Sequence, residues 1–207
     1  MNFVVKIFDN FQILVIFAYN PCFCMSKLKT KLDFLSKNNV NELFFNEDIN
    51  CALDVLPAIF YGSHSRVRIF ARCLSGEVST HPAYVQALSD FIERNGKVEV
   101  LLNGFNAEKA KESPVMRRLA YYAKQGKDIT VRKTSSILSF NTAPTQPIYF
   151  TVGDNKAYRV ETNPQTHQAD CNMNDEEFAG KLINTFDRMF SESRGYAVDL
   201  LDLFNLK

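Results

Sequence analysis

The chain has 207 residues, enough for one domain with a substantial core. Its composition, 46% hydrophobic and 23% charged, excludes wholly disordered chains, collagen-like chains, coiled coils and polytopic membrane proteins. The 24 Lys and Arg residues balance 23 Asp and Glu residues, so the formal net charge of +1 draws the chain toward neither nucleic acid nor lipid.

The first 24 residues differ in character from the rest. The apolar run Ile13–Tyr19 is far shorter than the roughly 20 residues that span a bilayer, and no secretory cleavage site follows it. We favour translated upstream sequence with a natural start at Met25; a short membrane-associating or partner-binding segment is the alternative. We therefore expect no stable membrane insertion and divide the chain into a leader (1–24), one α/β domain (25–193) and a tail helix (194–207).

Elements are predicted from hydrophobic spacing and end signals. Helices are expected over 26–36, with Ser26 as cap, and over 47–61. Strands at 67–71, 98–102 and 128–132 then alternate with a helix from Pro82 to about Asn95, capped by Thr80, and a helix from Pro114 to Gln125. A hairpin is expected at 148–152 and 157–161, followed by a long helix over 174–190 and the short tail helix.

This element order predicts an α/β fold. Strands separated by helices form βαβ crossovers, so the sheet should be mixed and mainly parallel, with the hairpin added at one side.

The five cysteines are odd in number and scattered, which does not indicate a disulfide framework. Cys22 and Cys24 lack the spacing of a zinc knuckle, and the three histidines stand apart. No glycine-rich phosphate loop is present. We therefore expect no metal and no cofactor, and a reducing, cytoplasmic location.

Candidate catalytic residues are few. Cys73 follows the strand at 67–71, where α/β sheets place ligands, and His81 comes eight residues later. An inert thiol and a helix-capping histidine are the favoured interpretations of these two. Asp154 and Glu161 could act as acid or base, although Asp154 also fits an ordinary turn residue.

Basic residues offer two anion-binding candidates. Arg68 and Arg72 lie on a strand and at its end, and Arg159 lies on the hairpin; structural salt bridges explain them equally well. The other candidate is a basic run that is either a phosphate-contacting face or a solvated helix face. It comprises Lys109, Lys111, Arg117, Arg118, Lys124, Lys127, Arg132 and Lys133.

The order β-α-β-α-β, long loop, hairpin and helix, with the hairpin sequence from Pro147 to Glu161, resembles one half of the phospholipase D-like superfamily fold. In that superfamily the corresponding strand carries His-x-Lys-x4-Asp. With Asp154 as the acid, Pro147 takes the histidine position and Tyr149 the lysine position. Proline cannot attack phosphorus and tyrosine carries no positive charge, so the resemblance implies a degenerate motif. It also implies a homodimer, because superfamily sites are built from two halves.

Three functions remain open. We favour a non-catalytic binding or sensor module that recognises an anionic ligand, nucleic acid or a protein partner through the former catalytic cleft. By analogy, it would be an accessory to bacterial defence or mobile elements. The cleft would contain Arg68, Arg72, Tyr149, Asp154 and Arg159.

One alternative is a diverged phosphodiesterase or nuclease with a new active site built from Cys73, His81, Asp154 or Glu161. The other is a protein-interaction subunit of a larger complex, working through residues 1–24 and 196–207.

Overall fold

The computed structural model describes residues 21–139 and 146–206, with side chains from residue 28 onward. Within these residues, seven strands form one mixed sheet in the order β1-β7-β6-β5-β2-β3-β4. The strands are β1 Phe44–Asn46, β2 Arg66–Ala71, β3 Lys97–Leu102, β4 Ile129–Lys133, β5 Tyr149–Gly153, β6 Ala157–Asn163 and β7 Gln168–Asn172.

The sheet has a parallel half and an antiparallel half, which meet at β2. On one side β2 runs parallel to β3, and β3 parallel to β4. On the other side β2 is antiparallel to β5, and each step onward through β6, β7 and β1 is antiparallel. The predicted mixed sheet with a hairpin at one side is confirmed.

Helices cover both faces of the sheet. They are α1 Pro21–Lys37, α2 Ile49–Gly62, α3 Glu77–Thr80, α4 Pro82–Glu93, α5 Ala107–Glu112, α6 Pro114–Lys124, α7 Glu176–Glu192 and α8 Leu200–Leu203. A 3₁₀ turn at Arg194–Tyr196 links α7 to α8. The side chains of α2, α4 and α6 pack with Val67 and Ile69 of β2 on one face. The side chains of α7 pack with Phe70 and the hairpin on the other.

Two strands were not predicted. The β1 segment is Phe-Phe-Asn, and the β7 segment is Gln-Ala-Asp-Cys-Asn. Neither is rich in β-branched residues or long enough to show a clear alternation, so pairing with a neighbour rather than intrinsic propensity defines them.

Helix starts also differ from the prediction. Thr80 does not cap α4; the Nδ1 atom of His81 accepts a hydrogen bond from the Ala83 amide, and Pro82 occupies the first helical position. The first helix begins at Pro21 and runs through Ser26, so the predicted cap at Ser26 is wrong. Most of the predicted leader lies outside the described residues.

Over residues 21–139 and 146–206, no helix combines the length and the apolar character needed to cross a bilayer.

Candidate functional site

The site lies at one edge of the sheet. The carboxyl ends of the parallel strands β2, β3 and β4 meet there, and the antiparallel pairing brings the start of β5 and the end of β6 to the same edge. Arg72 and Cys73 follow β2, Asn103 and Gly104 follow β3, and Tyr149 begins β5. Ligands of α/β sheets bind at such an edge.

A cavity of about 320 Å³ opens at this edge, between the sheet and the segment from Leu74 to Tyr84. Its lining mixes apolar side chains with polar ones. The polar and thiol groups are those of Arg72, Cys73, Glu77, Ser79, Tyr84, Tyr149, Thr151, Arg159, Glu161 and His167.

Arg159 is a buried cation held by three neighbours. Its Nε atom donates to the Asn46 side-chain oxygen at 2.9 Å. Its Nη2 atom donates to the His167 carbonyl oxygen at 2.8 Å and to Glu161 Oε1 at 3.2 Å. These bonds come from three different parts of the chain, so the guanidinium is fixed in orientation.

Glu161 also contacts an imidazole. His167 Nδ1 lies 3.3 Å from Glu161 Oε1, so one carboxylate oxygen serves both the guanidinium and the imidazole ring. His167 has φ 60, in the left-handed region, at the turn that leads into β7. The β6–β7 turn thereby places a histidine beside the strand that carries Glu161.

A second cavity, of about 710 Å³, adjoins the first and shares Arg72, Cys73 and Gly76 with it. Lys109 of α5 and Glu112 also line it. Arg72 and Lys109 form no ion pair with any described residue. We call the two adjoining cavities the cleft.

Gly104 makes room for the Arg72 side chain. A Cβ atom at this position would lie 2.7 Å from Arg72 Cγ and 3.1 Å from the Arg72 carbonyl oxygen. The Gly104 amide also donates to that carbonyl, at 2.8 Å. The close approach of two backbone segments therefore requires glycine at the rim of the cleft.

Tyr149 lines the smaller cavity together with the charged residues Arg72 and Glu161. Burial raises the pKa of its hydroxyl, while a hydrogen bond with the Asn103 side chain and the positive charge of Arg72 partly oppose the rise. The Tyr149 ring packs 5.7 Å from that of Phe70, measured between centroids. The hydroxyl is therefore a neutral donor at neutral pH, close to the Arg72 guanidinium, which has no ion-pair partner among the described residues.

Two of the five predicted cleft residues lie elsewhere. Asp154 is at the far end of the hairpin, where its carboxylate accepts hydrogen bonds from the backbone amides of His64, Ser65 and Arg66. Arg68 points to the opposite face of the sheet and binds Asp187 of α7. The cavity brings together the other three, Arg72, Tyr149 and Arg159.

The four predicted catalytic candidates do not come together in one site. Cys73 and Glu161 line the smaller cavity, whereas His81 caps α4 and lines a different one, and Asp154 serves the hairpin turn. Among the described residues no hydrogen bond joins any two of these four. In the same part of the chain, no three His, Cys, Asp or Glu side chains are grouped to hold a metal ion.

His167 was not predicted as a site residue. Its position beside Glu161 depends on β7, a strand for which the sequence shows no clear signal. A Glu and a His six residues apart, flanking Asn163-Pro164 in a turn, are the signal that could have indicated a hairpin and a contact across it.

The eight residues of the basic run have different surroundings. Only Lys109 lines the cleft. Lys111 pairs with Glu108, Arg117 donates to the Lys111 carbonyl oxygen, Lys127 donates to Asn95, and Arg132 stacks on Phe190. Arg118 and Lys133 lie near the rings of Tyr121 and Phe105, and Lys124 is exposed at the end of α6.

No protein-family model matches this chain, and no curated protein matches it in sequence. Solved structures do match. NucT from Helicobacter pylori has a TM-score of 0.51 at 17% identity, over 77% of this chain and 98% of its own. TrmBL2, an archaeal chromatin protein, has a TM-score of 0.53 at 12% identity, over 84% of this chain and 63% of its own.

The phospholipase D family member Nuc from Salmonella typhimurium has a TM-score of 0.49 at 16% identity, covering 75% of this chain and 96% of its own. The likeness to NucT, with its TM-score of 0.51, shows that the fold is phospholipase D-like. The resemblance predicted from the sequence is thus confirmed for the fold. The match of Pro147 and Tyr149 to the histidine and lysine of the superfamily motif remains a prediction.

Proposed function

We propose that this chain is a phospholipase D-like module that binds nucleic acid in the cleft without cleaving it. The observation that carries the proposal is the pair of cations Arg72 and Lys109, which line the cleft and have no acidic partner among the described residues. Surface cations without partners are free to neutralise phosphates and release counterions.

The proposed absence of cleavage is supported by the sequence. The superfamily nucleophile is a histidine two residues before a lysine, and the sequence has no His-x-Lys pair. Pro147 and Tyr149 take those positions if Asp154 is the motif acid. Proline offers no nucleophile and tyrosine no positive charge, whereas Arg72 still offers a guanidinium to a phosphate.

One structural neighbour supports the ligand class. The structure of TrmBL2 is described as showing a novel mode of DNA binding, and this chain spans 63% of its length. We further propose a homodimer, since superfamily sites combine two halves and this chain supplies one.

The experiment is light scattering of the full chain with and without a short mixed-sequence oligonucleotide, at low and high salt. We expect a dimer that gains mass with the oligonucleotide, and affinity that falls as salt rises. Arg72→Gln and Lys109→Gln should each weaken binding and reduce its salt dependence by about one phosphate contact. Lys124→Gln is the matched control, because Lys124 is exposed and does not line the cleft. A monomer that ignores the oligonucleotide at low salt would contradict the proposal.

A second candidate function is a diverged phosphodiesterase. The contact between His167 Nδ1 and Glu161 Oε1 favours it, because a carboxylate at Nδ1 orients the ring and leaves Nε2 able to act as a base. Wild-type chain that cleaves the oligonucleotide, together with a His167→Gln variant that binds without cleaving, would establish this function. An intact oligonucleotide after long incubation with excess protein would eliminate it.

A further inference from the structure

Three polar side chains in the smaller cavity are almost fully enclosed by protein. Tyr84 of α4 is 2% exposed, Thr151 of β5 is 5% exposed and Arg159 of β6 is 6% exposed. All three line the cavity. Buried polar groups in folded proteins nearly always have hydrogen-bond partners, so each of these requires one.

Each of the three retains unused hydrogen-bonding capacity. Among the described residues neither the Tyr84 hydroxyl nor the Thr151 hydroxyl forms a hydrogen bond, and Arg159 uses Nε and Nη2 but not Nη1. None of these atoms is sealed away from the cavity, since the one enclosed side-chain atom without a partner in the described residues is Arg132 Nε. The unused groups are therefore accessible from the cavity.

The three groups are also neighbours. Thr151 and Arg159 stand directly opposite each other on β5 and β6, where side chains on the same face are about 5 Å apart. The Tyr84 hydroxyl is near enough to Arg159 that the guanidinium charge partly opposes the rise in its pKa, which burial causes. All three side chains therefore line the same cavity of about 320 Å³.

Nothing in the packing requires these hydroxyls. Phenylalanine at position 84 and valine at position 151 would fill almost the same volume and would lack the hydroxyl that each side chain offers to the cavity. Both hydroxyls are therefore available to a group that enters the cavity.

We propose that this part of the cavity binds a phosphate monoester, either the terminal phosphate of a nucleic-acid strand or that of a free nucleotide. The unused groups are a guanidinium nitrogen and two hydroxyls, all able to donate, and Arg72 adds a second cation at the opening. A monoester presents three terminal oxygens to such donors, whereas an internal diester presents two and continues as a chain on both sides. A volume of about 320 Å³ suits one end group and not a strand that passes through.

The acidic groups of this cavity do not prevent anion binding. Glu161 already faces Arg159 Nη2 and the His167 ring, so its charge is balanced within the network. Glu77 is exposed to solvent, where its repulsion is screened. If the phosphate belongs to the end of a nucleic-acid strand, this inference rests on the proposed function. If it belongs to a free nucleotide, the inference is independent of that function.

The test compares one labelled oligonucleotide in three forms, with a 5′-phosphate, with a 3′-phosphate and with neither, and uses AMP and inorganic phosphate as competitors. At least one phosphorylated form should bind about tenfold more tightly than the form with neither. Tyr84→Phe and Thr151→Val should each remove most of that advantage, so that the phosphorylated and unphosphorylated forms bind each variant with nearly equal affinity. Tyr158→Phe is the matched control, since the Tyr158 hydroxyl contacts Asp175, away from the cavity.

The outcomes separate this inference from the proposed function. Equal binding of all three forms would overturn the monoester site and leave nucleic-acid binding standing. Binding of AMP without binding of any oligonucleotide would support the site and contradict the nucleic-acid function. Thermal stability is a further readout: Tyr84→Phe and Thr151→Val should not lower the melting temperature, and a clear drop in both would show that the hydroxyls have structural partners.

Discussion

The Asp154 carboxylate accepts hydrogen bonds from both the backbone amide and the hydroxyl of Ser65, at 2.9 and 2.8 Å. It thereby ties the β5–β6 turn to the start of β2. Burial on its own would raise the pKa of this carboxyl group, but hydrogen bonds from the amides of Arg66, His64 and Ser65 and from the Ser65 hydroxyl outweigh burial and lower the pKa. The charged form of Asp154 therefore stabilises the fold.

Asp154→Asn should destabilise the protein by about 1–2 kcal/mol at neutral pH. Asparagine tolerates the left-handed backbone at this position, φ 50, so the substitution mainly removes charge. Because the folded-state pKa is lowered, the stabilisation is present above the unfolded-state pKa and is lost as the pH falls through the folded-state value. Urea unfolding of both chains at pH 7 and pH 3 measures the difference, which should shrink at pH 3.

Asp170→Asn provides the opposite case. Burial raises the pKa of the Asp170 carboxyl group, so its charged form is disfavoured in the folded protein. This variant should be more stable than wild type at pH 7 and equal to it at low pH. Equal effects of the two substitutions at pH 7 would mean that charge at these positions does not affect stability.

Asp187→Ala should lower stability without affecting ligand binding. Arg68 is buried and donates to the Asp187 carboxylate from Nε at 2.8 Å and from Nη2 at 3.2 Å. In the variant the nearest acidic partner of the Arg68 guanidinium is Glu99, 4.0 Å away. Because Asp187 is half exposed, we expect the free energy of unfolding to fall by about 1–2 kcal/mol. Glu177→Ala, which removes an exposed pair with Lys181 on the same helix, should cost less than about 0.5 kcal/mol. Weaker oligonucleotide binding by Asp187→Ala would contradict this prediction and indicate that Arg68 takes part in ligand binding.

Two glycine substitutions should act in opposite directions. A Cβ atom at Gly153 would lie 2.2 Å from Ser63 Oγ and 2.8 Å from Ile59 Cγ2, so Gly153→Ala forces α2 away from β5 and should cost about 1–3 kcal/mol. At Gly180, inside α7, a Cβ atom meets nothing within 4 Å, and Gly180→Ala should stabilise by about 0.5–1 kcal/mol. Chemical denaturation of both variants measures the two effects, and a neutral Gly153→Ala would contradict the close packing of helix on strand.

Cys73 and Cys171 should differ in reactivity. Cys73 is partly exposed and lines the cleft, whereas Cys171 is buried, and burial raises the pKa of its thiol to about 12 despite the opposing charge of Arg159. With iodoacetamide at pH 8, peptide mass spectrometry should find Cys73 modified and Cys171 intact. Bound oligonucleotide should slow the reaction of Cys73. Unchanged labelling under saturating oligonucleotide would place the ligand outside the cleft.

The alternation of strands and helices was visible in the sequence because the central elements carry strong local signals. The strands from Val67 and Val98 are mainly apolar, each with one charged residue in second place, and Pro82 and Pro114 mark helix starts. The edge strand at Phe44 and the strand at Gln168 carry no such signal. These two strands form because they pair with neighbouring strands: β1 pairs with β7, which is distant in the sequence, and β7 also pairs with β6.

The site was predicted only in part, because local sequence signals place some of its residues and long-range contacts place the others. Arg72, Tyr149 and Arg159 lie at strand ends or along the hairpin, so topology alone brings them near the cleft. Arg68 was misplaced because the side chains of a strand alternate between faces, and the identity of each face depends on which helices cover it. Tyr84 was missed because it is a buried residue in the first turn of α4, and His167 was missed because its position depends on β7.

The position of β2 has a consequence for how the chain folds. On one side Val67 of β2 pairs with Val98, which is 31 residues later in the sequence. On the other side it pairs with Gly153, which the ribosome adds 86 residues after Val67. The parallel half can assemble while the second neighbour of β2 is still absent, and until the hairpin arrives β2 presents a bare, apolar edge. Chains that end before Tyr149 should therefore aggregate, and the cleft should be among the last features to form.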